Sequence, residues 1–205
     1  MSPLETYLAE KSSEKNAPTL GRKGKESDWL AFAEFSCKSG KILVIDPGLC
    51  RIIENGTLIT CSPGIYDLHA KVVAYGSEKR VSRLRVVQRG AQGYSLGDAL
   101  EEEAVVDVAG LAVCDADALE RAWGDDEDST LEALQDWMPI EKAAVELIIP
   151  KYPDATLYMV ESGFGDGSFP IFELSENGIR VGFEVELIEP GTPYPFSNMG
   201  SFKNI

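Results

Sequence analysis

From Ile179 to Leu187 the chain alternates without a break. Ile179, Val181, Phe183, Val185 and Leu187 are apolar, and Arg180, Gly182, Glu184 and Glu186 stand between them. A period of two puts every second side chain on one face, so this segment reads as a strand half-buried against a core. Asn177-Gly178 comes just before it and suits a two-residue type I′ turn, because both residues accept positive φ. The stretch "GSFPIFELSE" then supplies the partner strand. A two-residue turn sets Leu174 opposite Val181 and Phe172 opposite Phe183, both pairs pointing inward.

Other runs follow the same logic. "KILVIDPG" is a short strand ended by Asp46-Pro47-Gly48, and "GTLITC" is another, closed by Ser62-Pro63-Gly64. "IYDLHAKVVAYG" and "RVSRLRVVQ" form an antiparallel pair across "GSEK". Val81, Leu84 and Val86 cannot share one face of a regular strand, so a bulge or a partly double-sided strand is expected there. Ala104 to Val108 and Leu111 to Cys114 read as strands either side of a turn at Gly110, and "TLYMVES" as one more. Helices are expected at Leu4 to Lys11, after a cap at Asp115 or Asp117 with a stop near Gly124, and from Ser129 to Pro139. "DWLAFAEF" reads as a helical turn and "IEKAAVELIIP" as a third short helix.

These elements define an α+β fold with a largely antiparallel β-sheet, a central helical segment and a C-terminal β-hairpin. Residues 1–27 are polar and read as an N-terminal arm, 28–190 as a single α+β domain and 191–205 as an extended tail anchored by Tyr194, Phe196 and Phe202.

Charge narrows the partners. The chain of 205 residues carries a formal charge of −15. Fourteen acids and one base, Arg121, lie between Asp98 and Asp136, whereas Glu78 to Arg89 holds five bases and one acid. Nucleic acid is disfavoured, since phosphate contacts need a basic footprint. A basic protein partner is favoured, through Glu101, Glu102 and Glu103 and through Asp125, Asp126, Glu127 and Asp128. The plainer reading of each acidic run is a solvated face. No apolar run is long enough to span a membrane, and the N-terminal stretch lacks the apolar centre of a signal peptide, so the expected location is cytoplasmic. Cys37, Cys50, Cys61 and Cys114 are scattered, and with the single His69 they make no zinc spacing; they read as buried thiols.

The order of landmarks resembles a bacterial family grouped as domain of unknown function 4241. The resemblance rests on "SGKILVIDP", "SPGIYDLHAKVV", "RVSRLRVV", "VVDVAGLAVCDADAL" and "GFGDGSFPIFELSENGIRVGFEVEL", from about Ser39 to Leu187. Asp107, Gly110 and Asp115 take the places of the family's V-D-x-G motif and following Asp, with Val108-Ala109 between them. It implies a shared fold and no particular activity.

Candidate chemistry is sparse. Asp46, Asp107, Asp115 and Asp166 stand at strand ends or turns, where carboxylates that converge on one rim could hold a divalent cation. Asp at a turn more often accepts a backbone N–H. "GFGDGS" is neither a P-loop nor a nucleophile elbow. Its Gly163, Gly165 and Gly167 permit unusual backbone angles, with Asp166 expected to hold the loop through its amides. Cys61 or Cys50 with His69 could form a thiolate pair only if the fold joined them. No cofactor motif is present. The reading that results is a non-catalytic acidic binding protein, one version being an immunity protein that neutralises a toxin. The alternatives are a metal-assisted enzyme and a small-ligand binding module using the Asp-bearing loops.

Overall fold

The computed structural model describes residues 1–10, 17–49, 55–107, 110–128, 130, 132 and 144–196. The N-terminal part comprises α1 (Pro3–Ala9), β1 (Lys25–Glu26), β2 (Leu30–Cys37), β3 (Lys41–Ile45), β4 (Thr57–Thr60), β5 (Gly64–Tyr75) and β6 (Glu78–Gln88). There follow β7 (Ser95–Val106), β8 (Gly110–Asp115), α2 (Ala116–Asp125), β9 (Ala144–Leu147), β10 (Leu157–Glu161), β11 (Gly167–Glu176) and β12 (Ile179–Glu186).

Two antiparallel sheets result. One runs β1-β5-β6-β12-β11-β7, with β2 beside β1 on the same edge of β5. The other runs β4-β3-β8-β10-β9. The main core lies between them. Tyr66, Leu68, Val72, Val81, Leu84, Val86, Phe183 and Val185 from the first sheet meet Ile42, Val44, Leu111, Val113 and Val160 from the second. The five-stranded sheet is buried on its other face too. There Leu43, Ile45, Ala112, Cys114, Leu157 and Met159 pack against Leu119 and Ala122 of α2. Double burial explains why β3 and β8 read as unbroken apolar runs, while β5 and β12 alternate.

The bulge expected in β6 is present. The β5–β6 register shifts between Lys71 and Val72, so Arg83 pairs with Lys71 and Val81 with Val72. Ser82 is the extra residue, and Val81, Leu84 and Val86 all turn inward. Its displaced carbonyl accepts the amides of Leu187 (2.8 Å) and Ile188 (3.0 Å). The bulge therefore anchors the exit of β12.

Several expectations are corrected. "DWLAFAEF" is not a helical turn: from Leu30 onward it lies in β2, where exposed Glu34 and Ser36 alternate with buried Phe35 and Cys37 against the open edge of β5. Ala144–Leu147 is an edge strand on β10 rather than a helix, because a sheet edge offers its backbone a ladder that local propensity does not foresee. β7 begins at Ser95, well before Ala104. Gly110 opens β8, and these two strands belong to different sheets, so no hairpin joins them. The arm is tied down as well: Ser2 and Glu5 form a capping box on α1, Leu4 is fully buried, and Lys25–Glu26 pair with β5. The expected helix from Ser129 to Pro139 falls for the most part outside the described residues, as does Phe202. Tyr194 of the tail is buried against Tyr75 and Phe164.

The β11–β12 turn has positive φ at both Asn177 (52°) and Gly178 (78°). Ser175 pairs with Arg180, but Leu174 then pairs with Gly182 and Phe172 with Glu184. A register shift after Leu174 has replaced the expected Leu174–Val181 and Phe172–Phe183 pairs. Val181 is the extra residue of this bulge, and Gly182 beyond it lies against β6. A Cβ on Gly182 would stand 2.0 Å from the Val86 carbonyl oxygen and 2.9 Å from Val87 Cα. Both are backbone atoms, so no rotamer change relieves the clash. Gly182→Ala is expected to cost more than about 2 kcal/mol of stability in urea unfolding. Gly178→Ala, which meets strain but nothing within 4 Å, should cost about 1 kcal/mol.

Candidate functional site

The four aspartates are divided by the fold. Asp46 leaves β3 fully buried. Its Oδ1 accepts the Gly48 amide at 2.7 Å and its Oδ2 accepts the Asp107 amide at 2.6 Å. Asp115 lies at the other end of β3, whose Ile42 it pairs with. Four residues of strand, about 13 Å, therefore separate it from Asp46. Asp115 caps α2 by accepting the Ala118 amide at 3.1 Å, and its Oδ2 accepts the amides of Lys38 (2.6 Å) and Ser39 (2.9 Å). Burial alone would raise its pKa. The amides of Ser39, Ala118 and Lys38 and the Ser39 hydroxyl outweigh that and hold it below the ordinary aspartate value.

Asp107 and Asp166 are exposed and stand one residue beyond the last β7–β11 pair, Val106 with Gly167. Asp46, Asp107 and Asp166 thus gather near one rim, and Asp115 does not. Among the described residues no group of three or more His, Cys, Asp or Glu side chains is placed to hold a metal ion. The Gly-rich loop is closed by Ser162, whose carbonyl accepts the Gly165 amide at 3.2 Å and whose hydroxyl donates to the Gly165 carbonyl at 2.8 Å. Gly163 has φ 68°, and a Cβ there would meet Ile188 at 2.8 Å. Phe164 joins the aromatic cluster of Tyr75, Tyr194 and Phe196. The Ser162 bonds, the close approach of Gly163 to Ile188 and the packing of Phe164 all contribute to the loop's shape.

The two acidic segments sit on different layers. Glu101, Glu102 and Glu103 are exposed on β7, the edge strand of the larger sheet. Glu103 receives the Ser168 hydroxyl, and its carbonyl accepts Thr57 at 2.6 Å. Neither Glu101 nor Glu102 meets a base among the described residues. Asp125 ends α2 and Asp126 to Asp128 follow it, on the outer side of the smaller sheet. Asp126 is half-buried and bonds Lys151, whereas Asp125, Glu127 and Asp128 are exposed.

The basic run faces a different environment. On the outer face of the larger sheet, His69, Arg85 and Glu184 lie in one cross-strand row, and Lys71, Arg83 and Glu186 in the next. Glu184 is buried between Arg85, whose Nε lies 2.8 Å away, and Arg83 at 3.5 Å. Arg83 also reaches Glu186 at 2.6 Å, and Lys71 reaches Glu26 at 2.9 Å. Trp29 covers the cluster, with the Arg85 guanidinium 3.8 Å from its ring centre. His69 Nδ1 and Arg83 Nε are buried without a hydrogen-bond partner. Burial, helped by Arg85 and opposed by Asp67, lowers the His69 pKa and keeps the imidazole neutral at pH 7. Sequence reading missed this cluster, although R-x-R in one strand and E-x-E in another share its period of two.

His69 is not joined to a cysteine as a thiolate pair would require. It points away from the core, whereas Cys61 lies against Cys37 at 3.7 Å, on the core side. Cys50 lies outside the described residues. A recess of about 220 Å³ opens beside Asp115, lined in part by Lys38, Asp117, Arg121 and Asp154. Its charges are already matched: Arg121 and Lys38 approach Asp154 at 2.6 and 3.8 Å, and Lys41 meets Asp117 at 3.0 Å.

Fold and surface together describe an antiparallel two-sheet protein with one covering helix and an acidic edge. No helix among the described residues is long and apolar enough to cross a membrane. Comparison with known proteins adds no relative: no family model matches the chain, no curated protein does, and no solved structure does.

Asp115 supports a pH prediction. Its lowered pKa means that its contribution is complete above the unfolded aspartate value of about 3.9 and is lost as pH falls through the folded value. Asp115→Ala should cost about 3 kcal/mol near pH 7, from the lost cap and the unsatisfied amides. In urea melts the gap between wild type and this variant should narrow steadily below pH 4.

Proposed function

We propose that this protein is a non-catalytic binding protein that engages a basic protein partner through its acidic edge. An immunity protein that masks a toxin domain is the concrete version. The observation that carries the reading is the placement of Glu101 and Glu102: exposed, on an edge strand, with no base near them among the described residues. The bases of the chain's basic run are largely used internally. Arg80 pairs with Glu78 and Glu161, Arg83 with Glu184 and Glu186, Arg85 with Glu184, and Arg89 with Asp67 and Glu34. The surplus of negative charge is therefore displayed at β7 and beyond α2. Fields of this kind speed encounter with a cation by about 10- to 1000-fold at low salt. Charge on an edge strand also discourages edge-to-edge aggregation, the plainer role of the same residues.

The alternative, a metal-assisted enzyme or small-ligand module at the Asp-bearing loops, has less support. Both oxygens of Asp46 and of Asp115 accept backbone amides. Fold sharing with the bacterial family grouped as domain of unknown function 4241 is likewise a proposal, resting on the order of the motifs. A cytoplasmic location fits a masking role.

The test is a pull-down from the native host at low and then moderate salt, using wild type and a Glu101→Lys/Glu102→Lys/Glu103→Lys variant. A single basic protein should bind wild type, elute as salt rises, and lose about 10-fold or more in association rate with the variant. Capture that ignores this reversal and a second one, of Asp125, Asp126, Glu127 and Asp128 to Lys, or no partner at either salt, would overturn the reading.

A further inference from the structure

Two thiols far apart in the chain meet at the seam between the sheets. Cys37 ends β2 in the larger sheet and is fully buried; Cys61 follows β4 in the smaller sheet and is only half-buried. Their sulfurs are 3.7 Å apart. The Cys61 amide is held by the Gly40 carbonyl at 2.9 Å, and Cys37 is held in register opposite Gly64. Exposed Ser62 and Pro63 follow Cys61, so one of the two sulfurs has a route to solvent. Well-packed neighbouring thiols would satisfy the fold without chemistry, but the two sites are unequal. The hydrogen bond with Cys37 favours the Cys61 thiolate, with smaller help from the Tyr66 hydroxyl and from Arg180. Together they outweigh burial and the Asp115 charge and lower the Cys61 pKa to about 7. The same hydrogen bond, with burial, raises that of Cys37. One thiol is thus poised as nucleophile and the other as proton holder.

We propose that Cys37 and Cys61 are a peroxide-reactive pair that closes into a disulfide joining the two sheets. The oxidant is a hydroperoxide, with hydrogen peroxide the simplest. The Cys61 thiolate attacks one peroxide oxygen, the O–O bond breaks, and the departing hydroxide takes a proton to leave as water, which gives the Cys61 sulfenic acid. The Cys37 sulfur then attacks the Cys61 sulfur. The S–O bond breaks, hydroxide leaves with the Cys37 proton as a second water, and the sulfur separation closes from 3.7 Å to about 2.05 Å. Two thiols are oxidised by two electrons and one peroxide is reduced.

Folded full-length protein is treated with hydrogen peroxide, its remaining thiols are alkylated after denaturation, and unreduced peptides are mapped by mass spectrometry. A linked peptide pair containing Cys37 and Cys61 is expected. Methionine oxidation with both thiols still alkylatable would overturn the proposal, and so would a link formed only after unfolding. In Cys37→Ser the reaction should stop at a Cys61 sulfenic acid that a carbon nucleophile such as dimedone traps. The pH profile of Cys61 alkylation should have its midpoint near 7 in wild type. That midpoint should stay low in Cys37→Ser, which keeps an O–H donor, and move upward in Cys37→Ala, which has none. A midpoint unmoved in Cys37→Ala contradicts the assigned roles. None of these readouts depends on the acidic edge or on a protein partner.

Discussion

Burial of the five-stranded sheet on both faces is the constraint from which the rest of the molecule follows. β3 and β8 present apolar side chains to both sides, and each side needs a cover. The seven-stranded sheet covers one and α2 the other. A helix laid across a sheet must begin at a strand end, and Asp115 is where β8 gives way to α2. Its carboxylate collects the Ala118 amide in the first turn of α2 and two amides of the β2–β3 turn. Asp46 does similar work at the opposite end of β3. Asp46 and Asp115, two of the four aspartates weighed as metal ligands, tie this double-faced layer, because a buried carboxylate is tolerated when amides surround it.

Charge is sorted by the same layering. The outer face of the larger sheet carries a ladder of bases and acids under Trp29. That ladder takes up Arg83 and Arg85 of the basic run, and Arg80 and Arg89 pair with other acids. Among the described residues, Glu101 and Glu102 on β7 and Glu127 and Asp128 beyond α2 are exposed. These two segments add local concentrations of acid to a net charge of −15. It is this uneven display that supports a basic partner.

Strand content was legible where period and turn chemistry agreed. The β5–β6 pair, its bulge and the Asn177-Gly178 turn all follow from local rules. Reading failed at short segments whose identity depends on an available edge. "DWLAFAEF" and "AVEL" have mixed propensities, and each became a strand because β5 or β10 offered it a partner. The pairing after Leu174 was not legible because Val181 is bulged out of the β11–β12 ladder, which unbroken alternation does not signal. At the candidate sites, acidity of the edge was readable, and so was the type of each aspartate. Which aspartates meet was not, since Asp46 and Asp115 sit at opposite ends of a strand whose direction no local signal reveals.

The sequence by itself determined an antiparallel β-rich fold, the location of its turns and the sign of its surface, because alternation, glycine placement and charge are local quantities. Tertiary structure alone decided that two sheets share the core, that Asp46 and Asp115 accept amides from distant segments, that Arg83, Arg85 and Glu184 close a buried cluster, and that Cys37 meets Cys61. Those outcomes depend on contacts between segments distant in the chain. Their energies come from desolvation and close packing, which no single segment possesses before the sheets come together.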